Sequence, residues 1–285
     1  MNNTMKTIKY LLFAIPVAAL IASCDKHEIE YADSVSVGDN AMFQVSYIAP
    51  VASNTSNGLD SIYIDDKLIA GANGSQLLSS GKPLPEGLSN YTSKFFVASK
   101  GSHNMKLWKK GNVVYDRDIT LATGRQKVFV YNLNEDPIII DELYPYTVTS
   151  GQPTTDTFDS DSLATIRFFN FVWQNSTTPY PGKLQYQWSN NSDGKYIIGD
   201  WHNAGEPVGF GEATEHCPVI IHKTVFNSSG YQTIRFRCLN EAGDVVKGTT
   251  DYWTFYIGRR YNHFLRGCLT GSPSAAYTQS NSHGA

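Results

Sequence analysis

The stretch Gly101-Ser102-His103-Asn104-Met105-Lys106-Leu107-Trp108, continued by Lys109-Lys110-Gly111-Asn112 and Val113-Val114-Tyr115, decides the fold class. Side chains alternate across a strand, so Met105 and Leu107 point one way while Lys106 and Trp108 point the other. Gly111-Asn112 turns the chain back through positive φ. The product is a hairpin with one oily face. Such a face is covered by a second sheet, which gives a sandwich.

Outward from this hairpin the same grammar continues. Met42 to Ile48, Ser61 to Ile64, Lys94 to Ala98 and Val128 to Leu133 read as strands separated by Gly and Asn. Ile166 to Trp173, Leu184 to Trp188, Val219 to Phe226, Thr233 to Leu239, Val245-Val246 and Tyr252 to Ile257 repeat the pattern. The two halves read as copies of one unit. Ala41-Met42-Phe43-Gln44-Val45 aligns with Ala164-Thr165-Ile166-Arg167-Phe168, and Gly101 to Leu107 with Gly230 to Phe236. Gly111-Asn112-Val113-Val114 matches Gly243-Asp244-Val245-Val246, and Gly124-Arg125 matches Gly258-Arg259. The expected fold is all-β: two immunoglobulin-like antiparallel β-sandwich domains, over 41–145 and 163–270. Residues 146–162, dense in Thr, Ser, Asp, Gly and Pro, form a linker, and 271–285 form a flexible polar tail.

Composition agrees. Of 285 residues, 41% are hydrophobic, 17% charged and 13% aromatic, with 17 Tyr and 14 Phe, which suits pleated half-buried surfaces. The formal charge is −3 and no basic stripe occurs, which argues against a nucleic-acid partner.

The first residues have a different purpose. Lys6 and Lys9 precede an apolar run of about 11 residues, Leu11 to Ile21. A bilayer-spanning helix needs about 20, so the run reads as a cleaved signal peptide over 1–23. Ile21-Ala22-Ser23-Cys24 resembles the lipobox of bacterial lipoproteins, which implies a diacylglyceryl group on the Cys24 thiol and acylation of the new amine. Each buried CH₂ contributes about 0.8 kcal/mol, so several chains anchor durably where one does not. Residues 24–40 form a lipidated tether rich in acids (Asp25, Glu28, Glu30, Asp33, Asp39). These acids resemble surface-export signals of Bacteroidetes lipoproteins, which implies an outer-membrane, outward-facing location. Loss of Lys6 and Lys9 with the signal peptide brings the mature chain from −3 to about −5.

Three elements resemble a domain of unknown function that recurs singly and in tandem in envelope lipoproteins of the Bacteroidetes. They are Leu59-Asp60-Ser61-Ile62-Tyr63-Ile64-Asp65-Asp66-Lys67, Gly101 to Trp108, and the hairpin Thr120-Leu121-Ala122-Thr123-Gly124-Arg125-Gln126-Lys127-Val128-Phe129-Val130-Tyr131. The resemblance covers 41–135. It weakens over 163–270, where Asn262 and His263 interrupt an apolar run. It implies a β-sandwich and an envelope location, and no active site.

Residues with chemistry cluster in 200–222. His202, His216, Cys217 and His222 are metal-ligand types, but their spacing matches no structural zinc pattern. Asp200, Glu206, Glu212 and Glu215 could supply a carboxylate pair for glycoside hydrolysis. No nucleophile elbow, phosphate loop or HExxH helix is present in the sequence. Among Trp173, Tyr180, Tyr186, Trp188 and Trp201, most read as core, and Trp201 as exposed beside Asp200 and His202. Trp201, Asp200, His202 and Tyr180 are the candidate ligand-binding residues, with no cofactor and no metal. Cys238 follows Ile234 and Phe236 at period two and faces the core. That leaves Cys217 and Cys268 as a candidate disulfide in an exported compartment.

The sequence therefore describes a non-enzymatic envelope lipoprotein at the outer membrane that binds or scaffolds. Its partners are the membrane, through its lipid, and an extracellular glycan or an envelope protein. The alternative is a glycan-processing or metal-dependent hydrolase using the 200–222 loop.

Overall fold

The computed structural model describes residues 40–71, 77, 79, 81–85, 94–142, 163–189, 201–220, 231–256 and 259–282. All regular elements among them are strands, in four sheets. Sheet I runs β3 (Lys67–Ala70), β2 (Ser61–Ile64), β6 (Gly101–Lys109), β7 (Asn112–Leu121). Sheet II runs β4 (Pro83–Leu84), β1 (Asn40–Tyr47), β8 (Gly124–Val130), β9 (Ile138–Asp141), with β5 (Phe96–Ser99) also paired to β1. Sheet III runs β13 (Cys217–Ile220), β10 (Leu163–Trp173), β16 (Arg260–Cys268), β17 (Ala276–Ser282). Sheet IV runs β12 (His202–Asn203), β11 (Gln185–Ser189), β14 (Tyr231–Leu239), β15 (Asp251–Tyr256).

The two halves thus share one strand order. In each, the opening strand lies parallel to a late strand: Ala41 to Tyr47 pair with Gly124 to Val130, and Thr165 to Trp173 with Arg260 to Cys268. Pairing was expected to be antiparallel throughout. The parallel pairs arise because the chain leaves β1 (or β10), builds the facing sheet, and returns in the same direction, as a parallel connection requires.

The hairpin over residues 101–121 is β6–β7. Met105 and Leu107 are wholly buried, as are Tyr115, Ile119 and Leu121 from β7. They meet Phe43, Val45, Val128 and Val130 of sheet II in one core. Gly111 takes φ +76°, and a Cβ there would meet nothing within 4 Å, so its role is conformational. The second core is more aromatic: Phe168, Tyr186, Phe236, Phe255 and Tyr261 pack with Ile166 and Ile234 between sheets III and IV.

Alternation puts a second set of side chains on the opposite faces of sheets II and III, and these too are buried. Ile48, Phe129, Phe169, Phe171 and Phe264 form a third cluster. Phe129 lies 4.6 Å from Phe171, 5.5 Å from Phe169 and 5.6 Å from Phe264, centroid to centroid. Gly211 at φ +79° lets Ile138 of β9 approach, since a Cβ there would sit 2.5 Å from Ile138 Cδ1. The two sandwiches accordingly belong to one compact unit, Val37–Ala285.

Several expected elements differ. The expected tail from 271 supplies β17, which pairs with β16 from Arg266↔Ala276 to Arg260↔Ser282. The interrupted run around Asn262 and His263 is a full strand, with both residues buried. Val245-Val246 forms only an isolated bridge, Leu239↔Val245. The expected linker over 146–162 lies outside the described residues.

Candidate functional site

Sheet IV has one face in the core and one outside. On β14 the burial alternates strictly, with Gln232, Ile234, Phe236 and Cys238 inward and Thr233, Arg235 and Arg237 outward. Register then assembles the outer face. Arg237 lies opposite Gln187 of β11, Gln187 opposite Asn203 of β12, and Arg235 opposite Tyr252 of β15.

These residues are tied together. The Arg237 Nε donates to Gln187 Oε1 at 2.8 Å, and Gln187 Nε2 donates to Asn203 Oδ1 at 2.8 Å. The Arg237 guanidinium lies 4.1 Å from the Trp201 ring centroid. A cation over an indole contributes on the order of 0.5–2 kcal/mol and fixes both planes. Tyr252 is 68% exposed, the most open of the large hydrophobic side chains among the described residues. At the far end Tyr231 and Tyr256 meet at 5.2 Å, and Arg259 lies 3.9 Å over the Tyr256 ring. From Tyr231 to Arg237 the strand runs about 20 Å, given roughly 3.3 Å per residue. The outer face thus carries aromatic rings, with the Tyr231 and Tyr256 planes tilted 58° to one another, and hydrogen-bond donors and acceptors between them.

The residues singled out in the sequence are distributed as follows. Trp201 is half-buried rather than exposed, because Arg237 covers it. His202 is exposed and its ring lies 4.6 Å from that of Trp188, tilted by 33°, at the edge of sheet IV. Tyr180 packs against the core between sheets III and IV, its N–H donating to Val172 O at 3.1 Å. No described hydrogen bond or ring contact joins it to Trp201 or His202. Asp200 and His222 lie outside the described residues. Trp173, Tyr186 and Trp188 are buried.

Among the described residues, the metal-ligand and carboxylate candidates do not converge. His216 and Cys217 are neighbours at the start of β13, so their side chains take opposite faces. Cys217 points into the core of sheets III and IV, where burial pushes its thiol up to about 11. His216 lies on the other side, its imidazole pushed down to about 4 by burial and by the Arg167 guanidinium. Among the described residues no group of three or more His, Cys, Asp or Glu could hold an ion. Glu212 accepts the Gly209 N–H at 2.7 Å and so closes its own turn, while Glu206 and Glu215 are exposed.

Cys217, Cys238 and Cys268 are all free thiols and all buried, so the expected Cys217–Cys268 bridge is absent. The reason is register. Cys217 pairs with Ile166 at one end of β10, and Cys268 pairs with Trp173 at the other. Seven residues of strand separate them by about 23 Å; a disulfide needs Cα atoms roughly 4.4–6.8 Å apart. Cys238 does face the core, its Sγ 3.1 Å from Tyr277 Oη.

Sequence reading missed Gln187, Arg235 and Arg237. Their signal is present: polar residues alternate with Tyr186, Trp188, Phe236 and Cys238 at period two. Only the cross-strand register shows that they meet.

No family model matches the chain, and no curated protein matches it in sequence. Similar solved structures include a leucine-rich repeat protein from Bacteroides thetaiotaomicron, at 8% identity and a TM-score of 0.24. That likeness covers 81% of this chain, which spans 26% of the other. Two others are named as putative cell adhesion proteins. The one from Bacteroides uniformis is 8% identical, with a TM-score of 0.24, covering 85% of this chain and 98% of that one. The one from Bacteroides fragilis is 10% identical, with a TM-score of 0.22, covering 87% and 99%. At these TM-scores the likeness carries no functional inference.

Proposed function

We propose that this chain is a lipid-anchored envelope protein that binds an extracellular glycan through the outer face of sheet IV. The observation that carries the reading is the Trp201–Arg237–Gln187–Asn203 assembly, in which one hydrogen-bonded chain fixes an aromatic plane beside polar side chains. Pre-organised aromatic planes bind sugar rings at small entropic cost, because little has to be ordered on contact. Neighbouring amides and guanidinium groups are suited to hydroxyls. A reading as a hydrolase lacks such support, since the carboxylates of 206–215 serve turns or face solvent. Anchoring is assigned to Cys24, after removal of residues 1–23, with the acidic segment 24–40 as tether and outer-membrane exposure as the destination.

The test of binding is a glycan array probed with purified residues 25–285. Binding that Trp201→Ala weakens at least about tenfold supports the platform; an array without any signal removes the glycan reading. For the anchor, Cys24→Ala abolishes lipid labelling and releases the protein from membranes. Labelling and attachment unchanged in that variant would overturn the lipoprotein assignment.

A further inference from the structure

The proposed platform has a charge as well as a shape. The outward positions of β11, β12, β14 and β15 hold Arg235 and Arg237 and no carboxylate. Arg235 is exposed beside Tyr252. The corresponding outer face of sheet I is built from the same strand order but carries Asp116 and Asp118 on β7. There Asn104 Nδ2 donates to both carboxylates, at 2.8 Å and 3.2 Å, and Lys106 pairs with Asp66 at 2.6 Å. The acidic face is thus satisfied from within, while the basic face presents a guanidinium outward.

Resting on the glycan reading, we infer that the outer face of sheet IV selects acidic glycans, with Arg235 meeting a sugar carboxylate while Trp201 holds a neighbouring ring. Guanidinium matches carboxylate in a planar, two-pronged geometry that an ammonium cannot reproduce. Arg237 is committed through Nε to Gln187 and through its plane to Trp201, so it orients the ring. Arg235 sits two residues away on the same face, about 7 Å along the strand. That spacing offers one site for a ring and an adjacent one for a charge. The acidic ligand also suits an exposed location, where guanidinium attraction steers encounter over about 8 Å at physiological salt.

The experiment measures binding of residues 25–285 to polygalacturonate, alginate and hyaluronan, each as the free acid and with its carboxylates methyl-esterified. Heparin is included as a sulfate-rich comparator. The expected result is binding to at least one free acid, reduced about tenfold or more by esterification and by Arg235→Gln. Trp201→Ala is expected to weaken the same interaction. Arg235→Gln keeps the fold, as checked by an unchanged melting temperature, because the side chain is exposed. Binding that survives esterification and Arg235→Gln overturns acid selection but leaves glycan binding intact. Tighter binding to heparin than to every uronate overturns the carboxylate assignment. No binding to any glycan overturns both readings. Self-association in sedimentation that Arg235→Gln abolishes, without glycan binding, makes the acidic partner a second copy of this chain and likewise overturns the inference.

Discussion

The Lys127 ammonium lies 3.2 Å from Glu142 Oε2, with side-chain exposures of only 2% and 5%. The same ammonium donates to Gln44 Oε1 at 2.7 Å. Lys127 precedes Phe129 by two residues, so both leave sheet II on the face that meets sheet III. Nearby, Arg167 of β10 donates to Asp141 O at 2.6 Å and to Thr214 O at 2.8 Å. The junction between the sandwiches is therefore aromatic along part of its width and ionic along the rest.

Removing one member of this pair strands the other. Lys127→Met leaves the Glu142 carboxylate buried without its cation, and should cost about 3–5 kcal/mol. Lys127→Met with Glu142→Leu should recover most of that loss, because no buried charge is left unpaired. Urea denaturation of the two variants measures both. Equal stability of the single and double variants would show that the pair is not coupled.

Truncation at the aromatic end should act on both halves together. Phe129→Ala removes the ring shared by Phe169, Phe171 and Phe264, and should cost about 3–5 kcal/mol. The parent should unfold in one transition by both tryptophan fluorescence and circular dichroism. Two separate transitions in the parent would mean that the sandwiches fold independently.

Acid should destabilise the fold, and two histidines set the window. His263 is wholly buried and burial pushes it down to about 3, while His216 is pushed down to about 4. Unfolded, each titrates near 6.5. Between about pH 6.5 and 4 the unfolded chain holds two protons that the folded chain refuses. Each costs about 1.4 kcal/mol per pH unit, and the loss grows as pH falls. Burial opposes the Glu142 charge, but Lys127 prevails and holds the carboxyl below its usual range, so its stabilisation too is lost on acidification. His103 runs the other way. Burial lowers it, but Asp65 at 2.7 Å raises it above its usual value, so its stabilisation is present in acid and lost as pH rises through the folded value. Urea midpoints from pH 7.5 to 4.5 should fall steeply, and His263→Gln should flatten the fall by about half. An unchanged slope in that variant would assign the acid sensitivity to other groups.

The thiols give a direct count. Residues 25–285 in denaturant should titrate three thiols, and the folded protein should titrate none quickly. Burial pushes Cys238 up to about 12, which removes its thiolate at neutral pH. Two thiols fewer in denaturant would restore the disulfide.

The fold was legible wherever one face of a strand was wet. In β6 and β14 polar and apolar residues alternate, so period two announced them. β16 failed that test because both its faces are covered. His263 lies inside the core against Tyr186 Oη at 2.6 Å, and Phe264 lies in the junction. A strand buried on both sides shows no alternation, and buried polar residues then resemble a loop. β17 was hidden by its polar composition, since it is an edge. The ligand candidates near Trp201 were legible as a neighbourhood only. Trp201 pointed to the edge of sheet IV, but Arg237 and Gln187 lie 36 and 14 residues away in the chain and meet it through register. Tyr180, grouped with Trp201 from the sequence, packs instead against the core between sheets III and IV.

The parallel pairing of β1 with β8 would also set how a chain anchored at its N-terminal side bears mechanical load. With the chain tethered at Cys24 as proposed, tension would enter the folded body at Asn40 and pull along β1. It meets β8 lengthwise, from Ala41↔Gly124 to Tyr47↔Val130. Strands loaded along their axis must break their ladder by shearing many bonds at once, whereas strands pulled apart sideways unzip one bond at a time. A ligand held on sheet IV, two layers away, would send its drag through the aromatic junction into that shear-loaded strand. The geometry that closes the sandwich is also the geometry of a clamp.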